Sequence, residues 1–220
     1  MISKYEYILW DWNGTLLDDV WLCIEIMNKM LSKRKLPSIK YNEYRKIFDF
    51  PVQNYYEKAG FNFGDESFES VSVEYCDEYT DRVNECELHK DALPILDYFD
   101  DNNVSQTILS ATAQHSLNKM IIDFDLESYF TEIVGQDNQL AIGKIEKGKQ
   151  LVRESNVHLD KIALIGDTTH DAEVANAIGI DCILVQNGHH TKSKLEITGA
   201  TMVKELLDLT SFKTQNITKH

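Results

Sequence analysis

Three aspartates, a serine and a lysine have the types and spacing that chemistry on a phosphate group requires. Asp11 and Ser110 each follow a short apolar run. Asp167 follows a third run, Asp171 comes four residues later, and Lys144 stands in the polar segment before that run. A carboxylate can attack phosphorus to form an acyl phosphate, while two further carboxylates can hold Mg²⁺. A hydroxyl and an ammonium can bind the remaining phosphate oxygens.

The apolar runs before these residues are interpreted as strands that alternate with helices. The predicted strands cover residues 5–10, 105–109, 132–134, 161–165 and 182–185, with a strand-and-helix tail at 202–209. Helical periodicity lies between them, at 92–100, 117–124, 146–155 and 172–178. Such alternation predicts an α/β fold with a Rossmann-like parallel sheet of about five strands. The carboxyl ends of parallel strands share one edge, so the polar residues should meet there.

A mostly helical segment interrupts this alternation after the first strand. We expect residues 1–17 and 89–220 to form the α/β core, and residues 18–88 to form an inserted, all-helical cap. Its first helix follows Asp18 and Asp19, either of which is a plausible N-cap. The segment is rich in Tyr and Phe, and both a packed aromatic core and an aromatic ligand site are consistent with that composition.

Composition excludes several classes of partner. The net charge of −14 disfavours binding to nucleic-acid phosphates, and no local run of Lys and Arg offsets it. No apolar stretch is long enough for a membrane span, and the N-terminus lacks the pattern of a signal peptide. The four cysteines form no CxxC pair, which is typical of reduced thiols. We therefore expect a cytoplasmic protein without a nucleic-acid or membrane partner. The oligomeric state is left open.

Four motifs, in this order, resemble those of the haloacid dehalogenase-like hydrolases. The segment Asp11-Trp12-Asn13-Gly14-Thr15-Leu16 matches the first motif, and Ser110 matches the second. Lys144 matches the third, although Lys147 is an alternative, and Gly166-Asp167 through Asp171 match the fourth. The resemblance is to the subgroup with an inserted helical cap, which includes phosphoglycolate phosphatase-like proteins. It implies a Mg²⁺-dependent phosphohydrolase that acts on a small phosphorylated metabolite through an aspartyl phosphate.

The resemblance also implies a role for each residue of these motifs. The catalytic group would comprise Asp11, Asn13, Ser110 and Lys144. Phosphate contacts would come from Gly14, Thr15, Ser110, Ala111 and Lys144. The Mg²⁺ ligands would be Asp11, the main-chain carbonyl of Asn13, Asp167 and Asp171, the last through water.

Asn13 departs from the family pattern, which has a second aspartate at that position. An amide cannot serve as a general acid or base, and the loss of such a group typically costs ~10²–10⁴ in rate. The sequence therefore predicts low turnover on poor leaving groups, and Asn13→Asp would be expected to raise it. Two alternatives stay open: a catalytically weakened binding or regulatory module, and a hydrolase resembling phosphonoacetaldehyde hydrolase that would use a cap lysine such as Lys29 or Lys33. His170, His189 and His190 are interpreted as surface residues, although the loop of His189 and His190 follows a strand and could face the site.

Overall fold

A parallel sheet of six strands forms the centre of the structure, a computed structural model that describes residues 4–136 and 143–211. The strands are β1 (Tyr7–Trp10), β4 (Ser105–Ala113), β5 (Glu132–Gln136), β6 (Ile162–Gly166), β7 (Asp181–Val185) and β8 (Thr201–Val203). Their order is β5-β4-β1-β6-β7-β8, and every neighbouring pair is parallel. The predicted α/β class is confirmed, and the sheet has one strand more than expected.

Within residues 4–136 and 143–211, ten α-helices flank the sheet or lie in the interruption after β1. They are α1 (Val20–Lys33), α2 (Tyr41–Ile47), α3 (Val52–Ala59), α4 (Phe68–Arg82), α5 (Ala92–Asp101), α6 (Gln114–Asp123), α7 (Gly143–Ser155), α8 (Thr169–Ile178), α9 (Lys192–Glu196) and α10 (Asp208–Ser211). Among the described residues, no helix combines the length and apolar character of a bilayer span.

The central strand β1 is buried on both faces of the sheet. Ile8 and Trp10 belong to one hydrophobic cluster, whereas Tyr7 and Leu9 belong to a second cluster on the opposite side. Successive side chains of a strand point to opposite faces, so a strand covered on both sides needs an uninterrupted apolar run. The sequence of β1, Tyr-Ile-Leu-Trp, meets that requirement.

Helices α1 to α4 lie between β1 and β4, within the segment that we call the cap (residues 18–88). A two-stranded antiparallel ribbon joins the two ends of this segment. Strand β2 (Leu17–Asp18), at its start, pairs with β3 (Glu87–Leu88), at its end. Two residues per strand are too few for a visible alternation, so the sequence pattern did not predict the ribbon. The division of the chain into core and cap remains our proposal.

The aromatic residues of the cap pack mostly against one another. Tyr44, Tyr55 and Tyr56 are almost fully buried, and their rings form a chain of edge-on contacts. Phe61 continues this chain from Tyr56. Edge-to-face packing of this kind is typical of a hydrophobic core. These contacts favour the packed-core interpretation for most of the cap aromatics.

Candidate active site

Asp11 and Asp167 lie side by side because they follow neighbouring strands. The register of β1 and β6 pairs Trp10 with Ile165, and the next residues of each strand lead into the two aspartates. The main-chain N–H of Asp11 donates to the carbonyl of Ile165 at 2.9 Å, which fixes the first loop against β6. The sheet therefore delivers both carboxylates to its carboxyl edge, as the sequence predicts.

Lys144, near the start of α7, links Asp11 to Asp171. Its ammonium lies 2.6 Å from Oδ1 of Asp11 and 2.8 Å from Oδ1 of Asp171, and the side chain is 2% exposed. Lys147, one turn further along α7, donates instead to the main-chain carbonyl of Gly135. Of the two candidate lysines, the structure brings Lys144 to the carboxylates.

Hydrogen bonds from the segments that follow β1, β6 and β7 hold Asp167 and Asp171 in place. Thr15 donates through its hydroxyl to Asp167 at 3.0 Å, and the main-chain N–H of His189 donates to the other carboxylate oxygen at 2.5 Å. Asp171 accepts from the hydroxyl and N–H of Thr168, which completes a capping box at the start of α8. Helix capping and a place in the site are thus compatible for Asp171.

Gly166 makes this arrangement possible because it has no side chain. A Cβ at this position would overlap the carboxylate of Asp171. The close approach of Asp171 to the end of β6 therefore requires glycine, and the Gly-Asp pair of the fourth motif has a steric reason.

Burial and mutual repulsion perturb the titration of these carboxylates. Burial raises the pKa of Asp11 to about 7; Lys144 opposes this shift, and the charges of Asp171 and Asp167 add to it. Burial likewise raises the pKa of Asp167 to about 6. For Asp171 the ammonium of Lys144 outweighs burial and lowers the pKa. Lys144 thus offsets the charges of Asp11 and Asp171, and His189 opposes the shift of Asp167.

Asp11, Asp167 and Asp171 could together hold a divalent cation. Each offers a carboxylate oxygen, and these oxygens all lie within 4.8 Å of one another. Hard cations such as Mg²⁺ prefer oxygen ligands of this kind. Even with Asp19 and the two cations Lys144 and His189 counted, acids outnumber cations at this site, so the donor set and its excess negative charge fit such an ion.

The other residues assigned to phosphate contacts lie around this cluster. Ser110 is buried, and its hydroxyl oxygen accepts from the N–H of Thr112 at 3.1 Å. Strand β4 continues past Ser110 to Ala113, with an irregular register after Leu109, so Ser110 lies within an irregular part of the strand and not at its end. Ala111, on this same stretch, is exposed.

Gly14 occupies the turn that follows Asp11. Its φ of +72° lies in the left-handed region that glycine adopts without strain. Its N–H already donates to the carbonyl of Leu17 and to the carboxylate of Asp19, each at 2.9 Å. The structure therefore places Gly14 in the site as part of the turn, with its amide hydrogen engaged within the protein.

The amide of Asn13 is held at both ends. Its nitrogen donates to Asp19 at 2.8 Å and to the hydroxyl of Tyr79 at 2.7 Å, and its oxygen accepts from the hydroxyl of Thr112 at 2.6 Å. The side chain thus has a fixed orientation and bridges the core to helix α4 of the cap.

Asp19 is the site residue that the sequence did not reveal, and His189 belongs to a loop whose place at the site the sequence left open. Asp19 is the residue before α1, but its side chain caps no main-chain N–H of that helix. It is 1% exposed and contacts the ring of His189 at 3.2 Å. His189 and His190 are 4% and 0% exposed, so their interpretation as surface residues is wrong. The available signal was their place after β7, whose carboxyl end faces the site.

Burial and neighbouring charges shift the pKa values of His189, His190 and Asp19 in different directions. Burial alone would lower the pKa of His189, but the Asp19 carboxylate raises it to about 9. Burial, reinforced by Lys194, lowers the pKa of His190 to about 3. The pKa of Asp19 is lowered, because His189 outweighs burial. At neutral pH, His189 is therefore a buried cation beside Asp19, whereas His190 is neutral and accepts from the N–H of Thr169.

The family model for haloacid dehalogenase-like hydrolases matches residues 8–185 of this chain. The matched region runs from Ile8 of β1 to the end of β7 and includes Asp11, Asp19, Lys144, Asp167 and Asp171, whereas His189 and His190 lie just beyond it. The chain belongs to this family of hydrolases. A comparison with curated proteins found no significant match.

Solved structures share the fold over nearly the whole chain. A haloacid dehalogenase-like family hydrolase from Streptococcus pneumoniae is 16% identical with a TM-score of 0.81, covering 95% of this chain and 98% of its own. A predicted phosphoglycolate phosphatase from Haemophilus somnus is 14% identical with a TM-score of 0.78, covering 94% and 97%. A predicted phosphatase from Clostridium acetobutylicum is 21% identical with a TM-score of 0.75, again covering 94% and 97%. At these identities the likeness shows the fold.

Proposed function

We propose that this protein is a Mg²⁺-dependent phosphohydrolase that acts on a small phosphorylated metabolite through an aspartyl phosphate on Asp11. The observation that carries the proposal is the buried cluster in which Lys144 contacts both Asp11 and Asp171. It combines a nucleophile, a phosphate-binding cation and a set of metal ligands at the carboxyl edge of the sheet. The family is one of hydrolases, which agrees with this chemistry.

Asp11, Asp167 and Asp171 would hold Mg²⁺, together with the main-chain carbonyl of Asn13. The ion would supply positive charge that offsets the repulsion between the Asp11 carboxylate and an anionic substrate. Thr15 and the N–H of His189 fix both oxygens of Asp167 in place, so this ligand needs little reorganisation. A preorganised donor set of this kind favours metal binding over a mobile one.

In the first step a carboxylate oxygen of Asp11 attacks phosphorus, and the bond from phosphorus to the leaving oxygen breaks. The electron pair stays with the leaving group, while Lys144 and Ser110 bind the oxygens of the transferred phosphoryl group. In the second step water attacks phosphorus, which restores the Asp11 carboxylate and releases inorganic phosphate. Positioning and charge neutralisation provide most of the catalysis in such transfers.

Asn13 limits the rate at which a leaving group that needs a proton can depart. Its amide has no proton to give at neutral pH, and Asp19, Tyr79 and Thr112 engage its polar atoms. A poor alkoxide leaving group therefore departs without help from residue 13. We propose a preference for activated phosphates, such as acyl phosphates, and slow turnover of ordinary phosphomonoesters.

The phosphonatase-like alternative loses its support in the cap. Lys29 and Lys33 were the candidates for a Schiff base, but both side chains are about half exposed. They pair with Glu78 and Glu74 on the outer surface between α1 and α4. Neither lysine contacts a residue of the Asp11 cluster. The weakened binding module remains as an outcome of the test below.

The test is a substrate screen with purified protein and Mg²⁺ against acyl phosphates, phosphomonoesters and phosphonates. We expect hydrolysis of acyl phosphates to exceed that of sugar phosphates, and Asp11→Asn to abolish both. Release of phosphate by Asp11→Asn at the wild-type rate would contradict the proposal. Tight binding of a phosphorylated compound without turnover would favour the binding module. All four cysteines are free thiols, in keeping with the cytoplasmic location that we propose.

A further inference from the structure

The Asp19 carboxylate contacts both the loop that follows Asp11 and helix α4 of the cap. One of its oxygens accepts from the N–H of Gly14 at 2.9 Å and contacts Nε2 of His189 at 3.2 Å. The other accepts from the amide of Asn13 at 2.8 Å and from the hydroxyl of Tyr79 at 2.7 Å. Both oxygens are thus fully engaged, so Asp19 cannot itself contact a substrate.

Two tyrosines of the cap contact Asp19 or its partner His189 through their hydroxyl groups. Tyr79, on α4, contacts Asp19 and Asn13 directly. Tyr44, on α2, lies 2.8 Å from Nδ1 of His189, whose other ring nitrogen contacts Asp19. The hydroxyl groups of α2 and α4 therefore reach the loop that carries Asp11 by way of one buried carboxylate.

We propose that Asp19 is a positioning residue that fixes the Asn13–Gly14 turn beside Asp11 and connects that turn to the cap. In this arrangement Asn13 is the partner that the buried carboxylate requires, because its amide donates where a second carboxylate would repel. The proposal rests on the proposed function for its kinetic consequences alone.

The contacts allow the aspartate and the asparagine to exchange places between positions 13 and 19. Asn13→Asp alone would place two carboxylate oxygens at hydrogen-bond distance, which is destabilising in a buried site. The same contact changes the expectation, drawn from the sequence, that Asn13→Asp by itself raises turnover. With Asp19→Asn added, the amide at position 19 can accept from Gly14 and His189 through its oxygen. Its nitrogen can then donate to the new carboxylate and to Tyr79, so every contact keeps a donor and an acceptor.

The experiment compares Asp19→Asn, Asn13→Asp and the double variant with wild type and with Asp97→Asn. Asp97 is a matched control, because it also accepts from a tyrosine hydroxyl, that of Tyr129, but at an exposed position away from the site. The readouts are Tm without metal, and kcat and KM with Mg²⁺ and the best acyl phosphate of the screen.

We expect each single variant to lower Tm by about 4 °C or more. Each should lower kcat by about 10- to 100-fold, as a small displacement of reacting groups does, with KM little changed. The double variant should recover most of both losses, while Asp97→Asn behaves as wild type. Additive losses in the double variant would overturn the proposal. So would single variants that lower Tm but leave kcat unchanged, since Asp19 would then be structural only.

The two proposals fail in different ways. A wild type that turns over no phosphate overturns the proposed function and the kinetic part of this inference. The coupling in Tm between residues 13 and 19 is measured without substrate or metal. Coupled losses of Tm would show that Asp19 and Asn13 act as a pair, and additive losses would show that they do not, whatever the activity of the wild type.

Discussion

Replacement of Lys144 by methionine removes the cation from a buried group of three acids. The ammonium is 2% exposed and contacts Asp11 and Asp171 at 2.6 and 2.8 Å. Breaking a buried ion pair by removing one partner typically costs about 3–5 kcal/mol, because the remaining charge stays buried without compensation. We expect Lys144→Met to lower the free energy of unfolding by about that amount at pH 8 in the absence of metal.

The loss of unfolding free energy in Lys144→Met should increase as pH rises. Without Lys144, the pKa of Asp171 is no longer lowered and that of Asp11 rises above its value of about 7. An acid whose folded pKa exceeds its unfolded value stabilises the folded state when protonated, and this contribution is lost as pH rises. If the variant's folded state holds about one proton more than wild type, its deficit grows by about 1.4 kcal/mol per pH unit between pH ~5.5 and ~7. The deficit should therefore be about 2 kcal/mol smaller at pH 5.5 than at pH 8.

Urea denaturation at pH 5.5 and pH 8, with EDTA present, measures this difference. Lys149→Met is the matched control on the same helix, because it removes an exposed contact to Glu146 and leaves the carboxylates of the site untouched. Its cost should be small and nearly independent of pH. Equal deficits for the two variants at pH 8, or a Lys144→Met deficit that shrinks as pH rises, would refute the reasoning.

Three further predictions concern neighbouring parts of the site. Mg²⁺ should raise Tm of the wild type, and Asp167→Ala should abolish that response in thermal scans; an intact response would contradict the metal assignment. Because the folded pKa of His189 is about 9 against 6.5 unfolded, its contribution to stability is complete below pH 6.5 and is lost as pH rises through 9. Urea titrations from pH 6.5 to 9.5 should show that fall, of at most about 3 kcal/mol, and Asp19→Asn should flatten it; a parallel fall in the variant would be inconsistent with the pair. Gly166→Ala should cost about 1–3 kcal/mol by urea denaturation, since the added Cβ overlaps Asp171, and a neutral result would count against the steric account.

The sheet and the residues at its strand ends could be predicted from the sequence. Long apolar runs such as β1 and β6 produce a strong local signal, and parallel pairing then brings Asp11 and Asp167 to one edge. The choice of Lys144 over Lys147 needed the structure, because both lysines precede β6 and only the orientation of α7 separates them.

The pairing of Asp19 with His189 could not be predicted, because it arises from a tertiary contact. An acid before an apolar helix has the local pattern of an N-cap, and nothing near Asp19 in the chain indicates a histidine far away in sequence. The hydroxyl of Tyr79 likewise reaches Asn13 only because α4 packs across α1. Contacts between distant segments leave no periodicity in the sequence.

The central claim, that Asp11 is the phosphorylated nucleophile, can be tested by trapping the intermediate. The protein is mixed with acetyl phosphate and Mg²⁺, quenched in acid, digested and analysed by mass spectrometry. Because Asn13 offers no base for the hydrolytic water, the phosphoenzyme should accumulate. The account predicts one phosphoryl group on the peptide that contains Asp11, absent from Asp11→Asn. Turnover without that label, or a label on any other residue, would contradict it.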